Sequence, residues 1–189
     1  MKNIVIFGAP GSGKGTQSDK IIAEFGVEHI STGDVLRAEI KAGTELGKTA
    51  SAYINEGKLV PDSLIVDMLA STLDSKGKDI KGVIFDGFPR TIAQAEALDA
   101  MLKERGQEVN VVIGLEVDDA ELIKRIIARG KTSGRADDNE VTAKKRLDTY
   151  YSQTLPLKDL YIQQGKYAKI NGVGSIDEIY AEISAAIKK

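Results

Sequence analysis

The chain has 189 residues, 42% of them hydrophobic, which is enough apolar surface for one sizeable core and by length favours one domain over two. A formal charge of −2 argues against a broad nucleic-acid surface. The absence of cysteine excludes disulfides and thiolate metal sites, so a metal would be held by oxygen or by the one histidine, His29. No apolar run approaches the length of a membrane span, and MKNIVIFGAP lacks the apolar core and cleavage site of a secretory signal, so a cytoplasmic protein with no membrane partner is expected.

In chain order, NIVIF (residues 3–7) reads as a strand, running into GAPGSGKGTQ and a helix over 14–25. EHIST (28–32) is a short strand candidate, followed by helical patterns over 33–42, 44–56 and 62–75. VIF (83–85) is the next strand, then a helix over 91–105, the strand VNVVIGLEV (109–117) and a helix over 119–129. A polar loop, RGKTSGRADD (129–138), leads to a long helix over about 139–164, the strand candidate YAKING (167–172) and a last helix from about Ser175. The long strands are continuous apolar runs, the pattern of strands buried on both faces, and their alternation with helices predicts a parallel α/β sheet. Residues 31–60, two helices with no strand between them, and the loop at 129–138 read as excursions from the sheet edge.

The glycine-rich stretch nearly fits the phosphate-loop pattern G-x-x-x-x-G-K-[ST]. Gly8, Gly13 and Lys14 fit, Gly15 stands where the hydroxyl belongs, and Thr16 supplies it one residue late. With a strand before it and a helix after it, backbone N–H groups of Gly11, Ser12, Gly13, Lys14, Gly15 and Thr16 can converge on phosphate oxygens, with Lys14 reaching the β and γ phosphates. The plainer alternative is a turn that is glycine-rich for tight packing. Asp86 ends a strand beside this loop, where it can hold Mg²⁺ directly or through water, or serve as a turn acid. Thr32 and Arg37 sit at a helix start, facing a ligand or, for Thr32, serving as the cap. Asp118 and Glu121 form a capping-box-like start to the helix carrying Arg125 and Arg129, four apart on one face. That pair suits an anionic partner, although Glu121 pairing with Arg125 and the helix dipole acting on Arg129 would explain it too. Arg135 and Arg146 remain. Of the seven arginines, only Arg105 lies away from these motifs.

GAPGSGKGT, STGDVLR and DGFPRT, followed by SGRADDN and KKRL, in this order and spacing, resemble the adenylate kinase family over essentially the whole chain. The shifted hydroxyl of G-K-G-T is that family's own form of the loop. The resemblance implies a P-loop fold with a five-stranded parallel sheet flanked by helices. It implies one kinase domain over 1–189, with residues 31–60 as a nucleoside-monophosphate-binding insertion and a short lid at about 129–138. It implies transfer of the γ-phosphoryl group of Mg·ATP to AMP, giving two ADP, in the service of adenine nucleotide homeostasis. AMP would meet Thr32, Gly33, Arg37, Lys58, Leu59, Val60, Gly87, Phe88, Pro89, Arg90 and Gln94, with Arg37 and Arg90 on its phosphate and Gln94 on the adenine edge. The Phe88–Pro89 bond would be cis. STGD together with Gln94 favours AMP over UMP or CMP. Arg125 would stack on the ATP adenine, Gly174 would join the ATP site, and Arg129, Arg135 and Arg146 would hold the phosphates in exchange. With Lys14 and Arg90 these make the catalytic set. Asp137 and Asp138 would hold lid arginines or cap the next helix. Asp86 would hold Mg²⁺, through water. The short cysteine-free lid leaves no zinc set, with His29 a packed or surface residue, and the family's habit is monomeric. A UMP/CMP kinase is the nearest rival. A nucleotide-dependent switch would leave Arg37, Arg90 and Gln94 without work.

Overall fold

The structure, a computed structural model, describes residues 2–77 and 79–189. Its strands are β1 (Lys2–Gly8), β2 (Glu28–Ser31), β3 (Gly82–Asp86), β4 (Val111–Glu116) and β5 (Tyr167–Asn171), all parallel in the order β2-β3-β1-β4-β5. The register sets Gly8 opposite Leu115, and Ser31 opposite Asp86. The ends of β1, β2 and β3 that carry the motif residues therefore open on the same edge of the sheet, where ligands of open α/β sheets bind.

Alternate residues of each strand enter different cores, which is why the strands read as unbroken apolar runs. Val5, Phe7, Val83 and Phe85 pack under α2 (Thr32–Ala42), α3 (Glu45–Asn55), α4 (Asp62–Ser75) and α5 (Ile92–Glu104). Ile4, Ile6, Ile84 and Ile113 pack under α1 (Lys14–Phe25) and α9 (Ile176–Lys188). Each such side chain fully buried contributes about 1.5–3 kcal/mol of transfer free energy, so a strand buried on both faces is fixed in register from two sides.

Three expectations are corrected. The polar stretch at 129–138 is not loop throughout: α6 runs from Asp119 to Ser133 and ends at Gly134, in the left-handed conformation at φ 65°. Lys131, Thr132 and Ser133 carry no helix breaker, and Gly130 costs only about 1 kcal/mol inside a helix. The long helix over 139–164 is three pieces, α7 (Glu140–Thr149), a π-helical turn (Tyr150–Thr154) and α8 (Leu157–Gln163). Pro156 has no N–H and its ring collides with the carbonyl four residues back. The chain accommodates it by widening, with Leu155 N donating to Tyr150 O at 2.8 Å. Third, the cap of α2 is Ser31, whose hydroxyl accepts from Asp34 N at 3.3 Å, and not Thr32. Thr32 is helical, and its hydroxyl is released for other work.

Helices α2 and α3 cross at backbone contact. Gly47 sits in the first turn of α3, its N–H bonded to the Thr44 hydroxyl at 3.0 Å, and a β-carbon there would lie inside the Glu39 carbonyl and Ile40 nitrogen of α2. Helix propensity alone would make Gly47→Ala stabilising by about 1 kcal/mol. The clash is with backbone, which cannot rotate away, so we expect a net loss of roughly 1–3 kcal/mol. A thermal midpoint below wild type is the expected result; a rise would mean that the two helices part without cost.

Candidate active site

The loop after β1 is built on left-handed glycines, Gly11 at φ 83° and Gly13 at φ 98°, which only glycine adopts readily. Gly13 caps α1 without offering a side-chain oxygen, so the first N–H groups of the helix have no capping partner and face an incoming anion. Lys14 folds back over the loop, its ammonium donating to Gly8 O at 2.9 Å and Ala9 O at 3.1 Å. Burial pushes its pKa down to about 8, Asp86 works against that shift, and Arg90, Arg146 and Arg129 add to it. The Ser12 side chain is buried, whereas Gly15 and Thr16 are exposed at the helix start.

Across a cavity beside this loop lie most of the residues expected to meet the acceptor nucleotide. Thr32, Gly33, Arg37, Lys58, Leu59, Val60, Gly87, Pro89, Arg90 and Gln94 line it, together with Lys14 and Arg146. Gly87, at φ 77°, is needed twice: a β-carbon there would meet the Thr32 hydroxyl at 2.9 Å and the Arg90 guanidinium at 3.0 Å. Its carbonyl organises both, accepting from Thr32 Oγ1 at 2.9 Å and from Arg90 Nε at 2.7 Å. Gly33 leaves room for Arg37, whose guanidinium lies 3.0 Å from where a β-carbon would stand. Burial and the neighbouring Arg146 push Arg90 down to about 10, with Asp86 opposing. The Phe88–Pro89 bond is cis, as expected. The Phe88 ring itself is 1% exposed and packs in the core, so it does not face the cavity.

Gln94 is buried, and each end of its amide makes one internal hydrogen bond. Its Oε1 accepts from Arg90 N at 2.7 Å, its Nε2 donates to Asp62 Oδ1 at 2.7 Å, and its own N–H donates to the Thr91 cap at 3.2 Å.

Lid arginines are held by carboxylates. Arg129 makes a bidentate pair with Asp138 at 2.6 and 2.7 Å, and Arg146 Nη1 reaches Asp137 at 3.0 Å and Asp138 at 3.2 Å. Burial penalises the Asp138 carboxylate, yet the Arg129 hydrogen bond and charge outweigh it and hold the group below the usual range. Donating to Asp138 also raises Arg129, while burial lowers Arg146 against the pull of Asp137. Neither aspartate caps α7; Asn139 does, accepting from Thr142 N at 2.9 Å. Arg135 instead lies 3.6 Å from Asp34, which also pairs with Arg37 at 2.5 Å, so one carboxylate touches both excursions. Arg125 donates to Glu121 at 2.7 Å and to Gly172 O at 3.1 Å. That places it against the loop carrying Gly174, which lies over the phosphate loop close to Ser12.

Asp86 ends β3 with a side chain 13% exposed, and His29 Nε2 stands 3.5 Å from its Oδ2. The approach of the Asp86 carboxylate raises the His29 pKa against the effect of burial, although at this distance the Nε2 has no hydrogen-bond partner of good geometry. His29 is thus a neighbour of the candidate metal carboxylate rather than merely a packed or surface residue. Among the described residues no three His, Asp or Glu side chains gather as a metal set, and no helix is long and apolar enough to cross a membrane. Gly11, Ser12, Gly13, Gly15, Thr16, Asp86, Arg125, Arg129, Arg135 and Gly174 do not line the cavity; Asp86, Arg129 and Arg135 border it through Thr32, Asp138 and Asp34, while Arg125 and Gly174 lie farther off, beside the loop at Gly172. Sequence reasoning missed Asp34 and Asp62. Asp34 was legible as the acid of the first turn of α2. Asp62 gave no signal toward Gln94, which is far away in sequence.

The adenylate kinase family model matches residues 6–166. The chain is 67% identical to an adenylate kinase of Phocaeicola vulgatus and 66% identical to one of Bacteroides thetaiotaomicron, each over the whole of both chains. It is 53% identical to an adenylate kinase of Porphyromonas gingivalis, over all of this chain and 97% of the other. With a glycine-rich loop and a cavity lined by arginines at one sheet edge, a family model over most of the chain and relatives matched end to end, the chain belongs to the adenylate kinase family.

Proposed function

We propose that this enzyme transfers the γ-phosphoryl group of Mg·ATP to AMP, giving two ADP in a reversible reaction, with the following division of labour. The observation that carries the reading is that Lys14, Arg37, Arg90 and Arg146, from four separate parts of the chain, line a single cavity together with Gly8 and Pro10 of the phosphate loop and with Gln94. Arg37 and Arg90 bind the AMP phosphate. Thr32, Gly33, Lys58, Leu59, Val60, Gly87 and Pro89 form the wall around the nucleoside, and Gln94 meets the adenine edge. The N–H groups of Gly11 to Thr16 cradle the ATP phosphates, Arg125 lies on its adenine beside Gly174, and Lys14, Arg129, Arg135 and Arg146 follow the phosphoryl group as it moves. In-line transfer needs positioning and positive charge on the equatorial oxygens, and no side chain has to act as a strong base. Asp86 suits a water-held Mg²⁺, because magnesium keeps much of its water and takes one or two carboxylates plus substrate phosphates. Bound there, the ion would neutralise charge on the phosphates.

Residues 31–60 and about 129–138 act as two closing pieces on one kinase domain. The cations they carry repel one another until phosphate enters, so closure depends on both ligands. We take the enzyme to be a cytoplasmic monomer, as is the family's habit.

The direct test is ADP formation from ATP with each nucleoside monophosphate in turn: AMP should be preferred, and a preference for UMP would overturn the acceptor assignment. Lys14→Met should fold normally and lose two or more decades of turnover, about 3 kcal/mol of transition-state stabilisation; near-normal kcat would remove Lys14 from the mechanism.

Gly130→Ala tests the lid. The glycine lies where a β-carbon would press into the Asp138 carbonyl, so alanine should displace the carboxylate that holds Arg129 and Arg146. We expect kcat to fall at least tenfold, roughly 1.4 kcal/mol, in a folded protein. Unchanged kcat would show that the aspartate can move without cost.

Protonation of Lys14 gives a further check. Its ammonium in the free enzyme titrates at about 8, and adjacent phosphate favours the charged form and raises that value. Between the two values, nucleotide binding takes up a proton, so affinity falls as pH rises through about 8. Calorimetry at about pH 8.5 in buffers of different ionisation enthalpy should report uptake in wild type and less in Lys14→Met. Equal uptake in both would place the titrating group elsewhere.

A further inference from the structure

We infer that Asp62 determines base specificity by locking the orientation of the Gln94 amide. The inference rests on the reading that Gln94 faces the acceptor base.

An amide has two faces of opposite meaning. Its oxygen accepts two hydrogen bonds and its nitrogen donates two, and turning the group by half a revolution exchanges them. Gln94 uses one of each internally: Oε1 takes the Arg90 N–H and Nε2 donates to Asp62 Oδ1, both at 2.7 Å. One lone pair and one N–H remain, on a side chain that lines the cavity. That remainder matches adenine, whose 6-amino group donates and whose N1 accepts. It mismatches hypoxanthine, guanine and uracil, each of which presents a carbonyl oxygen beside a ring N–H. An unrestrained glutamine would serve those bases simply by turning over.

Here it cannot turn. Reversal would face the amide oxygen with the Asp62 carboxylate, acceptor against acceptor, and the NH₂ group with the Arg90 N–H, donor against donor. The carboxylate is itself fixed. Its second oxygen lies 3.5 Å from Thr91 Oγ1, and that hydroxyl caps α5 by accepting from Gln94 N. Asp62 is also the first residue of α4, where a negative charge suits the helix dipole. The chain therefore brings an obligate acceptor from one helix start to the amide of the next, and the choice between adenine and a carbonyl-bearing base is made outside the contact with the base.

A purely structural Asp62 would affect all acceptors alike. The test is therefore a ratio, kcat/KM for AMP over that for IMP, which does not depend on the fraction of enzyme folded. IMP has the same purine framework with the donor and acceptor pattern reversed at C6 and N1. Wild type, Gln94→Ala, Asp62→Asn and, as a second variant at that position, Asp62→Ser are compared. Asparagine and serine can accept from the amide or donate to it, so either relieves half of the lock. We expect the ratio to fall about tenfold in both Asp62 variants, with IMP use held or increased while AMP use declines. If Gln94→Ala collapses the ratio but the Asp62 variants lower AMP and IMP by the same factor, the lock is wrong and the reading of Gln94 stands. If Gln94→Ala leaves the ratio at its wild-type value, both are overturned.

Discussion

The constraint on which the site depends is the packing of like charge. Lys14, Arg37, Arg90 and Arg146 share one cavity, and Arg129 and Arg135 stand at its border. Lys14, Arg90, Arg135 and Arg146 are all held below their ordinary pKa, in each case with burial as the largest cause and other cations adding to it. At about 4 Å two unit charges repel by about 4 kcal/mol at the effective dielectric of a protein surface, so such a set does not assemble unaided. Asp34, Asp86, Asp137 and Asp138 are the counterweights. Asp137 lines the cavity beside Arg146, while Asp34, Asp86 and Asp138 stand outside its lining, so the cations outnumber the carboxylates in the wall and the cavity can attract polyphosphate.

Holding guanidinium groups in this way requires backbone close by and nothing between. Gly33 and Gly87 lie beneath Arg37 and Arg90, and in both places a β-carbon would intrude on the guanidinium at about 3.0 Å. Gly87 also supplies the carbonyl that aims Arg90, and it can do so because it ends the turn after a strand fixed in register between β1 and β2. The sheet's contribution to chemistry is this rigidity. Strands buried on both faces do not slide, so the donors and cations at their ends stay within tenths of an ångström of one another.

Much of this was legible from residue order, because it rests on local rules. The unbroken apolar strands, the glycine loop before a helix-starting lysine, and the acids and arginines of the lid each carry their signal within a few residues. What the sequence concealed depends on partners distant along the chain. Ser31 and Thr32 are both good caps, and only the position of the Gly87 carbonyl decides that Ser31 caps α2 while Thr32 turns to the site. The extension of α6 past Gly130 depends on packing against Asp138, and the π-helical turn is a response to Pro156 that periodicity does not register. The expectation that Gln94 meets a base came from family resemblance alone, and its place in the cavity lining was not readable from the residues around it. Nor were its hydrogen bonds to Arg90 and Asp62, since an acid opening a helix and a glutamine opening another give no hint that they meet.

The same long-range packing ties the two halves of the site together. Gly57, at φ 72°, follows α3, and a β-carbon there would crowd Lys145 and Arg146 of α7 at 3.1 and 3.3 Å. Thr149, on the same helix, donates to the Gly57 carbonyl at 3.0 Å. The loop that carries Lys58, Leu59 and Val60 therefore rests on the helix that carries Arg146. A shift of α7 that moved the arginine relative to the phosphates would carry the acceptor wall with it. Phosphoryl transfer is governed by the separation and alignment of donor and acceptor oxygens, and a misplacement of about 1 Å can cost a hundredfold in rate. Joining Arg146 to the 57–60 loop removes one independent motion that, in the proposed mechanism, could open that gap.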